Sequence, residues 1–292
     1  MVNGIGAVSM GITGWASLFG APNIWRLESN GNLTSAYESA EFKEATAYVR
    51  DLWSAGVFHP DSPINLTRTD FQGGKFITFL DTFNGWQDSI RQAAKLNPPP
   101  EFKLLPLFPA HDGGTPGFIT IGGYGGTIAF KKATVDRLKE LLRIANWLAA
   151  PFGSAEDLLL SYGVSPDDYA FDSGGNLKLT QRSNTDANYV PWKYTAQHPF
   201  VFFAADLPSY GAIATAAERT VIPSAVADPT FGVVSETAST KGVALTNTMN
   251  DNLSAVLLGR RPMSDYDQIV ADWRTNGGDQ MRKEFLAALA NA

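Results

Sequence analysis

Asp81, Asn84 and Trp86 lie close together in Phe76-Ile77-Thr78-Phe79-Leu80-Asp81-Thr82-Phe83-Asn84-Gly85-Trp86-Gln87 and combine a carboxylate, an amide and a flat indole. A sugar ring offers a face of C–H groups rimmed by hydroxyls. A tryptophan platform flanked by groups that donate to and accept from hydroxyls therefore suits carbohydrate. The spacing predicts a strand from Lys75 to Phe83, with Ile77 and Phe79 on one face and Phe76, Thr78 and Leu80 on the other. Asn84-Gly85 then predicts a turn that projects Trp86 beyond the sheet edge. The alternative is a tryptophan closing the core beneath it, and the residues alone leave the two readings level.

Other chemistry is thinly provided for. His59, His111 and His198 are isolated and fit neither a zinc-binding helix nor a Ser/His/Asp order, so solvated or capping roles are expected. Gly122-Gly123-Tyr124-Gly125-Gly126 lacks the spacing of a phosphate cradle, although its glycines permit close backbone approach. Asp167, Asp168 and Asp172 lack the regular spacing and terminal glutamate of an EF-hand loop and read as solvated turn carboxylates. Without cysteine there is no thiolate metal site or cysteine nucleophile. No cofactor is expected. Paired carboxylates for glycoside hydrolysis meet in space rather than in sequence, and no pair nominates itself.

The elements that must position these residues are helices and short strands. Apolar residues at helical spacing predict a helix over Ser39 to Ala55, stopped by Gly56, and another over Thr134 to Ala150, capped by Thr134 and ended by Pro151. Further helices are expected near Ser154 to Leu160, Lys241 to Leu258, Asp265 to Thr275 and Gln280 to Ala290. Phe102 to Leu107 and Phe118 to Phe130 read as strands, Asp172 to Asn176 as a tight reversal, and Gln181 to Pro199 as a surface loop. The mixture favours an α/β or α+β class. With 23 basic and 29 acidic residues the net charge is −6, so there is no basic surplus for nucleic acid or anionic lipid. No apolar run approaches the ~20 residues that cross a bilayer, and Met1 to Met10 carries no signal-peptide pattern.

Leu18-Phe19-Gly20-Ala21-Pro22-Asn23 and the segments Glu41 to Pro60, Phe71 to Trp86, Asn146 to Gly163 and Gly259 to Gln268 carry a resemblance that covers nearly the whole chain. No single motif is diagnostic. In order and spacing the chain resembles family 1 extracellular solute-binding proteins, the receptors of ABC importers for sugars and oligosaccharides, and above all their lipoprotein-type members.

The resemblance implies an α/β, periplasmic-binding-protein-like fold of two lobes that close over ligand. Family members are longer, so this chain would correspond to a C-terminal part with the first lobe largely missing. Residues 1–110 would belong to the second lobe, 111–150 to a first-lobe remnant with the hinge crossings, and 151–292 to the second lobe again. By the same likeness Trp86 would stack on sugar, Asp81 and Asn84 would make polar contacts, Tyr124 would line the cleft at the hinge and Trp15 would wall an aromatic subsite. The loop from Ser235 to Lys241 would offer backbone N–H groups to hydroxyls. The implied partners are a carbohydrate ligand and ABC transporter permease subunits. The implied location is extracellular and surface-associated, with membrane contact only through a lipid anchor that this chain does not carry. A non-enzymatic receptor is thus expected, with a glycoside-active enzyme or an inactive remnant as the alternatives.

Overall fold

The structure, a computed structural model, describes residues 3–5, 11–61, 68–79, 83–99, 101, 103, 109–110, 116–120, 128–183 and 204–291. In chain order these form β1 (Asn3–Ile5), α1 (Gly11–Leu18), β2 (Trp25–Leu27), β3 (Leu33–Ser35), α2 (Ala40–Ser54), α3 (Arg68–Gln72), β4 (Phe76–Thr78), α4 (Phe83–Ala93) and β5 (Phe118–Ile119). There follow α5 (Val135–Leu148), α6 (Ala155–Tyr162), β6 (Tyr169–Phe171), β7 (Leu177–Leu179), α7 (Tyr210–Val221), β8 (Ala225–Val226), α8 (Glu236–Leu257), α9 (Tyr266–Trp273) and α10 (Asp279–Leu289). The class is mixed helix and sheet, as expected. The strands are short and pair two by two: β1 with β4 and β5 with β8 in parallel, β2 with β3 and β6 with β7 antiparallel.

The chain divides into two compact units, Met1–Gly123 with Val221–Ala292, and Tyr124–Thr220. The first unit is organised by helix faces. In α2 the Ser39 side chain accepts from Phe42 N, Glu41 sits in the first turn, and Phe42, Ala45, Thr46 and Val49 are buried at i, i+3, i+4 and i+7. That face meets α8 and α9, so one cluster joins Trp25 and Phe42 to Met249, Tyr266, Trp273 and Phe285. Trp25 lies 5.9 Å from both Trp273 and Phe285, tilted or edge-on, as aromatic quadrupoles prefer. A π-helical turn over Arg274–Gly278 separates α9 from α10. Gly278 is required there, because an added Cβ would fall 2.6 Å from the Trp273 ring.

The second unit has a smaller core of Tyr162, Tyr169 and Leu177, with Leu158 and Ala205 against it. The Tyr162 hydroxyl accepts from Ala205 N. The reversal over Asp172 to Asn176 forms as expected and joins β6 to β7: Asp172 Oδ1 accepts from Gly174 N and Asn176 N. Asp168 departs from its expected solvated role. It is buried, accepts from Val164 N at 2.8 Å and faces Arg182 Nε at 3.7 Å.

Three element assignments also change. The strand expected over Lys75 to Phe83 ends at Thr78, and helix α4 starts at Phe83. Alternation therefore stops early: Phe76 is buried and Ile77 is 65% exposed, but Phe79 stacks with Phe71 on the same side as Phe76. Within the expected strand Phe118 to Phe130, the ladder is confined among the described residues to Phe118–Ile119. Helix α8 begins at Glu236, five residues before the expected start, because Ser235 caps it. The hairpin of β2 and β3 has no counterpart among the elements expected from sequence. Most of Phe102 to Leu107 and of Gln181 to Pro199 lies outside the described residues.

Candidate functional site

The parallel pair β1–β4 sets the geometry. Asn3 faces Phe76 and Ile5 faces Thr78, so both strands end at the same edge. In chain order helix α1 follows β1 and helix α4 follows β4. In open parallel α/β layers, ligands bind outside the carboxyl ends of the strands, where strand-to-helix connections gather side chains. Asp81 belongs to the connection between β4 and α4 and lies outside the described residues.

Trp86 is the fourth residue of α4, in its first turn, and not on a turn beyond the sheet. Its indole is half-buried and its Nε1 is withdrawn from solvent, so the ring rather than the N–H is what it can offer. Helix α4 is fixed against α3: Gln72 Nε2 donates to Asp88 Oδ2 at 3.1 Å and to Ser89 Oγ at 3.3 Å, and Arg68 lies 3.8 Å from Asp88. Asn84 is the second residue of the same helix. A helical first turn thus carries both residues, in place of the expected turn.

Trp15, the fifth residue of α1, is half-buried between Tyr48 and Phe58, with ring centroids 6.2 and 6.1 Å away. It packs on the Val49, Phe58 and Leu257 cluster, so part of its ring surface serves to dock α1 on α2. In chain order Trp15 and Trp86 each lie on the helix that follows one strand of the β1–β4 pair. Tyr124 lies outside the described residues, immediately after the first unit's Gly123.

The loop from Ser235 to Lys241 is already occupied by the chain itself. Thr237 N donates to Glu284 Oε2 at 2.9 Å, Ala238 N to Ser235 Oγ at 2.9 Å, and Ser239 N to Ser235 O at 3.0 Å. These N–H groups satisfy the start of α8 internally and are not open to a ligand hydroxyl. Glu284 holds the knot. Hydrogen bonds from Ser235 foremost, then Gln280 and both the backbone and side chain of Thr237, lower its pKa to about 2.

His59 takes a capping role: its Nδ1 accepts from Asp61 N at 3.1 Å and its ring lies edge-on to Phe76. Among the described residues no cluster of three or more His, Cys, Asp or Glu side chains could hold a metal ion. Also among them, no helix is long and apolar enough to cross a membrane. Two polar features escape sequence reasoning, the buried Asn23 and the Ser235–Glu284 knot. Asn23 is in a segment that carries the family resemblance, but its partners are 97 and 203 residues away, beyond any local signal.

No family model matches the chain. It is similar to the polygalacturonan/rhamnogalacturonan-binding protein YtcQ of Bacillus subtilis (strain 168), 23% identical over 287 residues, which cover 94% of this chain and 55% of that protein. It is also similar to lipoprotein LipO of the same strain, 22% identical over 290 residues, which cover 91% of this chain and 54% of that protein. The chain spans about half the length of the curated relatives it matches.

Proposed function

We propose that the chain is a non-enzymatic carbohydrate receptor, the solute-binding component of an ABC transporter, held outside the cell beside its permease. The observation that carries this reading is the similarity over 94% of the chain to a protein named for binding polygalacturonan and rhamnogalacturonan. Chain order supports it locally, because Asp81, Asn84 and Trp86 follow strand β4 within eight residues, the last two in the first turn of α4. Trp86 is the stacking platform, Asp81 and Asn84 bind hydroxyls, and Tyr124 and Trp15 add aromatic walls. The lobe assignment of residues 1–110, 111–150 and 151–292, with a first lobe mostly outside this chain, belongs to the same proposal.

Stacking would contribute about 0.5–1.5 kcal/mol per ring beyond area burial, and each hydrogen bond in a site closed to water about 0.5–1.5 kcal/mol net. Calorimetry against a panel of oligogalacturonides, rhamnogalacturonan fragments and neutral oligosaccharides tests the reading. Heat without turnover is expected; turnover makes the chain an enzyme, and silence across the panel removes the receptor. Trp86→Ala is expected to weaken binding at least tenfold, ~1.4 kcal/mol, with a Tm change well below that of a core truncation.

A further inference from the structure

The corner between α1 and β2 holds more than its own two elements. Asn23 is 3% exposed, and its Nδ2 donates to Thr120 O at 2.8 Å and to Val226 O at 2.9 Å. Thr120 directly follows β5, and Val226 closes β8. These are the segments by which the chain leaves and re-enters the first unit, since it passes to the second after Gly123 and returns at Val221.

The same corner grips the approach to β5. Gly117 N donates to Ser17 O at 2.7 Å, and Ala110 N donates to Leu18 O at 2.9 Å. An added Cβ at Gly117 would meet Val226 Cγ2 at 2.8 Å, so glycine is what lets the strands draw together here. The ladder between β5 and β8 is only Phe118 opposite Ala225 and Ile119 opposite Val226. A ladder that short leaves register weakly specified by itself. A primary amide has two N–H donors, and here they serve carbonyls on two different strands, so the strands cannot separate without stranding a buried polar group.

We propose that Asn23 is a positioning residue, a clasp that locks the two connecting strands β5 and β8 in register. The clasp follows from the first unit alone. Its use to pre-organise a sugar site rests on the receptor reading above.

Hydrogen exchange reads the clasp directly. In Asn23→Ala, in Asn23→Asp, which turns a carboxylate toward two carbonyls, and in Gly117→Val, the amides of 118–120 and 225–226 are expected to exchange at least tenfold faster than in the parent, while those of the buried face of α2 do not. Unchanged rates at 118–120 and 225–226 overturn the proposal. Should Asn23→Ala lose cooperative melting, hydrogen exchange in Asn23→Ser decides. Amides of 118–120 and 225–226 exchanging at least tenfold faster support the clasp, and unchanged rates overturn it. Because no sugar enters these measurements, a calorimetric failure of the receptor reading leaves their result intact.

Discussion

Helix α2 has 15 residues and helix α5 has 14, and both open on a hydroxyl side chain, Ser39 or Thr134, that accepts from the N–H three residues on. Both carry an acidic residue in the first turn. Helix α2 buries Phe42, Ala45, Thr46 and Val49; helix α5, with Val135, Leu138, Leu142, Ala145 and Leu148 on an equally regular stripe, buries none. Leu142 is 58% exposed and Val135 is 66% exposed. Caps and periodicity therefore decide that a helix forms, while burial depends on what the rest of the chain brings against it. For α2 that complement arrives from α8, α9 and α10. Among the described residues, more than half of the large exposed apolar side chains belong to the second unit.

The sharpest way to break this contrast is Phe42→Ala, which should cost about 3–5 kcal/mol in urea unfolding of the first unit. An effect under about 1 kcal/mol would mean that α2 is no better packed than α5. Ser39→Ala should cost about 1 kcal/mol by removing the cap, read from the same unfolding curves. Acid should act on the first unit through Glu284. Four hydrogen bonds favour its charged form, so the folded state holds the proton less tightly than the unfolded chain, whose ordinary value is 4.5. The stabilisation is complete above about 4.5 and is lost as pH falls toward and through about 2. Urea midpoints of the parent and Glu284→Gln should accordingly converge between about pH 5 and about pH 2. The smallest effect belongs to Leu142→Ala, expected within about 0.5 kcal/mol of the parent because that side chain is already in water.

What the sequence discloses follows the same divide. The ranges of α2 and α5 are readable because their signals, a hydroxyl cap, a 3.6-residue stripe and Gly56 or Pro151 beyond, are local. Asn84-Gly85 is a common reversal pair, and on that local signal alone Trp86 belongs on a turn. In the structure Gly85 is instead buried as the third residue of α4. The carbohydrate reading comes from residue chemistry and family likeness together, and neither Asn23 nor Glu284 could enter it. A buried amide or a knotted carboxylate is defined by partners that only the fold brings near.

The core of the first unit also sets a timetable for synthesis. Met249, Trp273 and Phe285, which enclose Trp25 and Phe42, are made roughly two hundred residues after them. At about 5–20 residues per second a ribosome needs on the order of 10–40 s to cover that interval. Until helices α8, α9 and α10 have been made, those early rings lack the neighbours that enclose them.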